Sequence, residues 1–385
     1  MDSIEVLKKL ISIDTTVPPG RNYDKVIDFL EPVFKSLGFQ TRRVDIPAEQ
    51  AEGREGRANL ICHRRASGKK RLIFYAHIDV VPADGWDAFT PRVENGKIYG
   101  RGAADMKGGL AALLHALDSV KNKLLKYDVS VMITTDEEYS QASQLRYISK
   151  YLEPLQGAYF FDLDSNFGYV SIAGLGALQM DILVKGKSVH SGLSHLGENA
   201  VEKANLLIYA LMQLKKKVSG RKSKVPTHPD TGLDKMVARL NINMVQGGLK
   251  VNIIPDQCLI SLDRRLIPEE QVDDARKEIL AVLSSVPNVR WEIQREFTIP
   301  TLRPCDDPIT DKLVDIMEAV TGEGGKFGEM GSGDLSNIVV NEWCGKEFGL
   351  GVIRTDSNIH GNNEFVYKKD IVDLAEIIYR FLISG

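Results

Sequence analysis

Two rhythms of apolar and polar positions run through the chain. Near the N-terminus Ile4, Val6, Leu7, Leu10 and Ile11 recur at helical spacing, which predicts a helix over 4–13. A second helix is expected over 23–37, ending at Gly38, a residue suited to the left-handed turn that follows a helix. Short apolar runs at 40–44, 58–63, 71–76, 129–134 and 158–161 read as buried strands. Between them Leu110 to Val120 reads as an apolar helix, opened by the glycine-rich stretch Gly102–Gly109. Strands alternating with helices imply an α/β sheet, in which ligands gather beyond the carboxyl ends of the strands.

After Gly174 the rhythm changes. Leu178 to Val184 alternates apolar and polar positions, as a half-exposed strand does. A helix over 199–214 follows, then strands over 237–246 and 251–264 flanking Gly247-Gly248, a helix over 269–283 and a strand over 289–297. The order βαββαβ is that of a compact ferredoxin-like unit. Helices over 311–320 and 369–383 then restore the earlier character. The expected fold class is α/β: a mixed-sheet α/β/α domain built from residues 1–174 and 299–385, with an α+β domain inserted over 175–298. A length of 385 residues agrees with two cores rather than one.

Composition narrows the function classes. Apolar residues make up 43% and charged residues 26%, the balance of a globular protein. A net charge of −3 argues against a nucleic-acid partner. Cys62, Cys258, Cys305 and Cys344 are widely spaced, so neither a cysteine zinc site nor a disulfide framework is expected. The N-terminus holds Asp2 and Glu5 without a long apolar core, and no apolar run approaches the ~18 residues a membrane span needs. A cytoplasmic location is the expectation. The lysine run from Lys215 to Lys224 reads as a solvated loop.

The candidate chemistry sits at the strand ends. Residues i and i+2 of an extended chain point the same way, so His77 can bind a metal while Asp79 fixes its tautomer. Asp105, before a helix, is either a cap or a ligand. The acid run Asp136-Glu137-Glu138 ends another strand and reads as a solvated loop or a cation site. A further strand ends in Asp162-Leu163-Asp164. With His360, the set His77, Asp105, Glu138 and Asp162 is too large for one open zinc site and suits two divalent ions sharing a carboxylate. Glu137 is then the spare acid, free to act as general base. Asp164 stays open as a rival to Asp162, and a one-metal site of His77, Asp105 and Asp162 is the simpler alternative. His63, His115, His195 and His228 read as structural or surface residues.

The stretches His77-Ile78-Asp79, Gly100–Gly109 and Asp136-Glu137-Glu138 resemble the signatures of the metallopeptidase family that contains acetylornithine deacetylase, succinyl-diaminopimelate desuccinylase, aminoacylase and glutamate carboxypeptidase. Asp14–Gly20, Gly186–His190, Gly197–Ala200, Asn252–Pro255, Asp263–Arg265, His360 and Asn363-Glu364 match in the same order. The resemblance implies two zinc ions per chain, replaceable by cobalt or manganese. His77 and Asp162 would hold one, Glu138 and His360 the other, and Asp105 would bridge them. Asp79 would orient His77, and Glu137 would take a proton from the water between the metals. His190 of the inserted domain would stabilise the oxyanion across a homodimer, with His195 as its rival. Asn252, Arg265, Ser332 and Gly333 would contact substrate. The implied reaction is removal of an N-acyl group from an amino acid; the alternative is carboxypeptidase or dipeptidase cleavage of a short peptide. A non-catalytic binding protein on the same scaffold is a third expectation, weakened because no ligand position is lost. The chain departs from the family pattern at Asp162-Leu163-Asp164, at Tyr139-Ser140 where glycines are usual, and at Gly331–Asp334, which lacks a threonine.

Overall fold

The computed structural model describes residues 1–66, 70–152 and 154–384. The chain divides into two compact units. The first comprises Met1–Ile172, Cys305–Phe327 and Gly333–Gly385; the second comprises Ala173–Pro304 and Gly328–Ser332.

The first unit is built on a mixed sheet. Six strands run in the order Gln40–Ile46, Arg57–Arg64, Asp128–Thr134, Arg71–His77, Tyr159–Asp162 and Lys346–Gly349. The last four of these, Asp128–Thr134 through Lys346–Gly349, pair in parallel, and the first two join antiparallel; the whole sheet has eight strands. Parallel strands must be covered on both faces, which explains their continuous apolar runs. One cover is the helix Gly108–Ser119, buried on nearly every side. A Cβ on Gly109 would lie 3.0 Å from the carbonyl oxygen of Leu163, so glycine here lets the helix approach the loop that carries Asp162 and Asp164. Phe161 is the hub of an aromatic core, with ring centroids 5.1 Å from Phe74, 5.2 Å from Phe348 and 6.0 Å from Phe381 of the last helix, Lys368–Ile383.

Short elements escape a reading of periodicity. Lys346–Gly349 is four residues long, too short to show a rhythm, yet it extends the parallel sheet beside Tyr159–Asp162. The helix Ala142–Ser149 and the three-stranded sheet of Arg92–Glu94, Lys97–Tyr99 and Phe365–Tyr367 are likewise additions.

The second unit has four antiparallel strands in the order Arg239–Gly247, Gln257–Leu266, Gly176–Lys185, Arg290–Ile299. Two helices, Ala200–Val218 and Val272–Ser284, turn Leu207, Leu211, Ile279 and Leu283 into its core. This is the ferredoxin-like βαββαβ order. The strand expected over 251–264 is in fact two. Ile253–Ile254 pairs with Val189–His190, and the sheet strand starts only at Gln257, because Pro255 has no N–H to donate to a ladder. No helix among the described residues is long and apolar enough to cross a membrane.

Candidate metal centre

The strand Arg71–His77 ends with the His77 ring fully buried. Its Nδ1 faces Asp79, 3.2 Å from the carbonyl oxygen and 3.6 Å from Oδ1. A proton on Nδ1 directed at Asp79 leaves the Nε2 lone pair free, and Nε2 has no hydrogen-bond partner. Around it stand Asp105 Oδ1 at 3.3 Å and Asp164 Oδ2 at 3.6 Å. The second oxygen of Asp79 accepts from the Glu138 amide at 2.9 Å, tying the acid pair to the histidine loop.

Asp105 lies in an irregular turn, Ala103–Lys107, entered through Gly102 at φ 80°. A Cβ on Gly102 would also come within 2.7 Å of Val80 Cγ1, so both backbone angle and space require glycine. The helix Gly108–Ser119 has no side-chain cap, which removes the reading of Asp105 as a cap. Its two oxygens face two imidazoles instead, Oδ1 toward His77 and Oδ2 toward His360 Nε2 at 3.1 Å. His360 Nε2 is also 3.1 Å from Glu138 Oε2. Two groups of three donors result: His77, Glu137 and Asp164, and Asp105, Glu138 and His360. In the first, His77 is buried and Glu137 and Asp164 are partly buried, while the His360 side chain of the second is 54% exposed and opens to solvent.

Asp162 is not part of the first group. It ends its strand, but its Oδ1 accepts the backbone N–H of Asp164 at 2.9 Å, and this local turn carries Asp164 round to His77. The side chain two residues beyond the strand, rather than the one ending it, reaches the histidine.

The titration behaviour is that of a site organised for positive charge. Burial raises Glu137 well above the usual carboxylate range and Glu138 to about 7. Asp164 is pushed up by burial and by Asp105. Hydrogen bonds to Asp105 and Glu138 raise His360 to about 10. Burial opposes a charge on His77, but Asp105, Asp164 and Asp79 outweigh it and hold its pKa well up. Protons thus stand in for cations among crowded carboxylates. An orphaned buried imidazole nitrogen amid an all-oxygen-and-imidazole donor set fits zinc or a similar divalent ion.

The sequence pattern of peptidase family M20/M25/M40 matches residues 73–384. The chain belongs to that family. Among relatives in the family, a succinyl-diaminopimelate desuccinylase of Wolbachia pipientis subsp. Culex pipiens (strain wPip) is 26% identical over 399 residues, covering 99% of this chain and 93% of that protein. An acetylornithine deacetylase of Vibrio atlanticus (strain LGP32) is 28% identical over 315 residues, covering 80% and 77%. The fold is shared with an M20 family metallo-carboxypeptidase, Sso-CP2, from Sulfolobus solfataricus, at a TM-score of 0.79 and 19% identity over 100% of this chain and 99% of that one.

Other family motifs acquire physical roles. Asp136, at φ 66°, is fully buried and gripped by Tyr23 Oη, Arg57 Nε and Gln144 Nε2, each at 2.9 Å, with Arg54 Nε also 2.9 Å away. Lys107 Nζ donates to the carbonyls of Leu10 and Ile13, fixing the first helix to the Asp105 turn. The Asp14–Gly20 loop bridges to Val80 beside the histidine loop, with Val17 N–H to Val80 O at 2.9 Å. The Tyr23 and Arg57 partners of Asp136 and the carbonyl partners of Lys107 are 79 to 113 residues away in sequence, so no local signal reveals them.

The remaining expected residues fall elsewhere. His190, Asn252, Arg265 and Ser332 belong to the second unit, and Gly333 to the first. Arg265 Nη1 donates to Ser332 Oγ at 3.1 Å, and its Nε to Asp263 at 2.8 Å. His190 is exposed, with Nδ1 accepting from the Gly192 amide. His195 is exposed as well, while His63 is engaged with Ser130.

Proposed function

We propose that the chain is a dinuclear metal-dependent amidohydrolase that removes an N-acyl group from an amino acid. The observation that carries this reading is Asp105, whose two oxygens address the imidazoles of two separate donor groups. Two divalent ions, zinc in the first instance with cobalt or manganese as substitutes, would polarise the scissile carbonyl and acidify a water, held by His77, Asp164 and Asp105 on one side and by Asp105, Glu138 and His360 on the other. That assignment places Asp164 where the sequence favoured Asp162. With Asp105 shared between the two ions, Glu137 stands beside the His77 group as the acid left for proton transfer. Burial raises the proton affinity of Glu137, which suits it to take a proton from the attacking water and return it to the leaving nitrogen.

The Arg265 guanidinium, aimed by Asp263 and Ser332, is a fork for a substrate carboxylate. Asn252 and Gly333 are further substrate contacts in this reading, and His190 is an oxyanion donor from a partner subunit. The homodimer is supported by the second unit's edge strand Arg239–Gly247, which leaves Met244 and Val245 about half exposed, and by Tyr209, 69% exposed on the neighbouring helix. Such an uncovered apolar edge invites a second copy.

Desuccinylase and deacetylase relatives covering most of the chain support the acyl-transfer-to-water reading; a carboxypeptidase G2 of Pseudomonas sp. (strain RS-16), 27% identical over 281 residues, supports the peptidase alternative. The test is a metal-replete hydrolysis screen of N-acetyl and N-succinyl amino acids against dipeptides and C-terminally extended peptides. Turnover of an N-acyl amino acid is expected to exceed that of every peptide. A dipeptide as the best substrate would replace the deacylase with a peptidase.

A further inference from the structure

Glu364 is a wholly buried carboxylate that touches no group proposed to react. Its Oε2 accepts from Arg101 Nη1 at 2.8 Å and from the Gly102 amide at 2.9 Å. Its Oε1 accepts from the amides of Ala104 at 2.9 Å and Asp105 at 3.1 Å. One side chain thus organises the backbone of the whole turn that presents Asp105. Arg101, 3% exposed, completes the arrangement. Its Nη2 donates to the carbonyls of Pro82 and His360, each at 3.3 Å. Three loops meet at this pair: the one after His77 and Asp79, the one bearing Asp105, and the one bearing His360.

The two donor groups depend on it unequally. His77 ends a strand whose register with Thr134 fixes its backbone. His360 sits in a loop at φ 61°, half exposed, and its carbonyl oxygen is tied down by Arg101. A fork donor can hold a carboxylate and two carbonyls at once, which an ammonium on a flexible stem does not.

We propose that Arg101 and Glu364 form a positioning clamp that sets His360 against Asp105, and so governs metal affinity more strongly at the Asp105, Glu138 and His360 group, two of whose ligands it holds, than at the His77 group, which shares only Asp105 with it. The inference rests on the dinuclear reading above. Partners that orient metal ligands typically change affinity ~10–100-fold when removed.

The test is stepwise zinc affinity, measured by chelator competition on the full-length metal-free chain, for wild type, Arg101→Lys and Glu364→Gln, with far-UV circular dichroism on each. Wild type is expected to take up two equivalents. In both variants one equivalent weakens ~10–100-fold and the other by a clearly smaller factor. Two equivalents of wild-type affinity, or two weakened by the same factor, would overturn the clamp. Arg101→Lys, which keeps the buried charge pair, decides the matter where Glu364→Gln lacks native helix content. Fewer than two equivalents in wild type would instead sink the dinuclear reading itself.

Discussion

Replacing Asp136 by asparagine is expected to destabilise the first unit without bending its backbone. Asparagine tolerates the left-handed region as aspartate does, so φ 66° carries no new strain. The charge, however, is what holds Arg57 and Arg54. Arg57 is 4% exposed and Asp136 is fully buried, and removing one partner of such a pair leaves an uncompensated cation, at a cost of ~3–5 kcal/mol. Asp136→Ala should cost ~1–2 kcal/mol more, because alanine is strained at positive φ. Glu137 and Glu138 follow directly in the chain, so the loosened turn should also lower turnover by ~10²-fold, the effect of misplacing a reacting group by ~1 Å. Urea unfolding of the metal-free chain measures the first quantity, and hydrogen exchange over 133–146 locates it. Adding Arg57→Met to Asp136→Asn removes the stranded cation and should recover part of the loss. Stability of Asp136→Asn within ~0.5 kcal/mol of wild type would refute this reasoning, since exposed and weakly engaged charges behave that way.

Three further outcomes follow from the site. Glu137→Gln should retain two metals by elemental analysis while kcat falls ~10²–10⁴-fold; turnover near wild type removes Glu137 as the base. Asp164→Ala should lose metal from the His77 group, whereas Asp162→Ala keeps it, a contrast that metal content reads directly. Metal uptake at pH 7 should release at least about one proton per chain into weak buffer, detected with a pH indicator. The sign follows from raised values: His360, at about 10, is protonated at neutral pH in the metal-free protein, and Glu138, at about 7, is partly so. Metal displaces those protons, and uptake therefore weakens as pH falls.

Much of the architecture is written in local periodicity. The alternation at 178–184 and the apolar runs ending at His77 and Thr134 are properties of single strands, and each forms as spaced. That His77, Asp105, Glu138 and His360 deserved notice was legible, because each lies at a strand end or a marked loop, where an α/β sheet collects its ligands; the folded chain distributes them over two donor groups. The approach of Asp164 rather than Asp162 to His77 was not, because it depends on a turn closed by the Asp162 side chain rather than on where the apolar run stops. Nor were the duties of Asp136, Arg101 and Glu364. Glu364 lies 263 residues from Arg101, and only the folded sheet makes them neighbours. A family motif can flag such residues, but the physical reason for them is a contact, and contacts over that separation leave no period in the chain.

The sharing of Asp105 between two metal groups is read from the metal stoichiometry of Asp105→Asn beside wild type, by elemental analysis after dialysis against a fixed low zinc activity. Two zinc ions per wild-type chain and loss from both groups in the variant are expected. A shared carboxylate offsets two cations, and without it they face each other less screened. Two tightly held ions in Asp105→Asn, or a single ion in wild type, would contradict it.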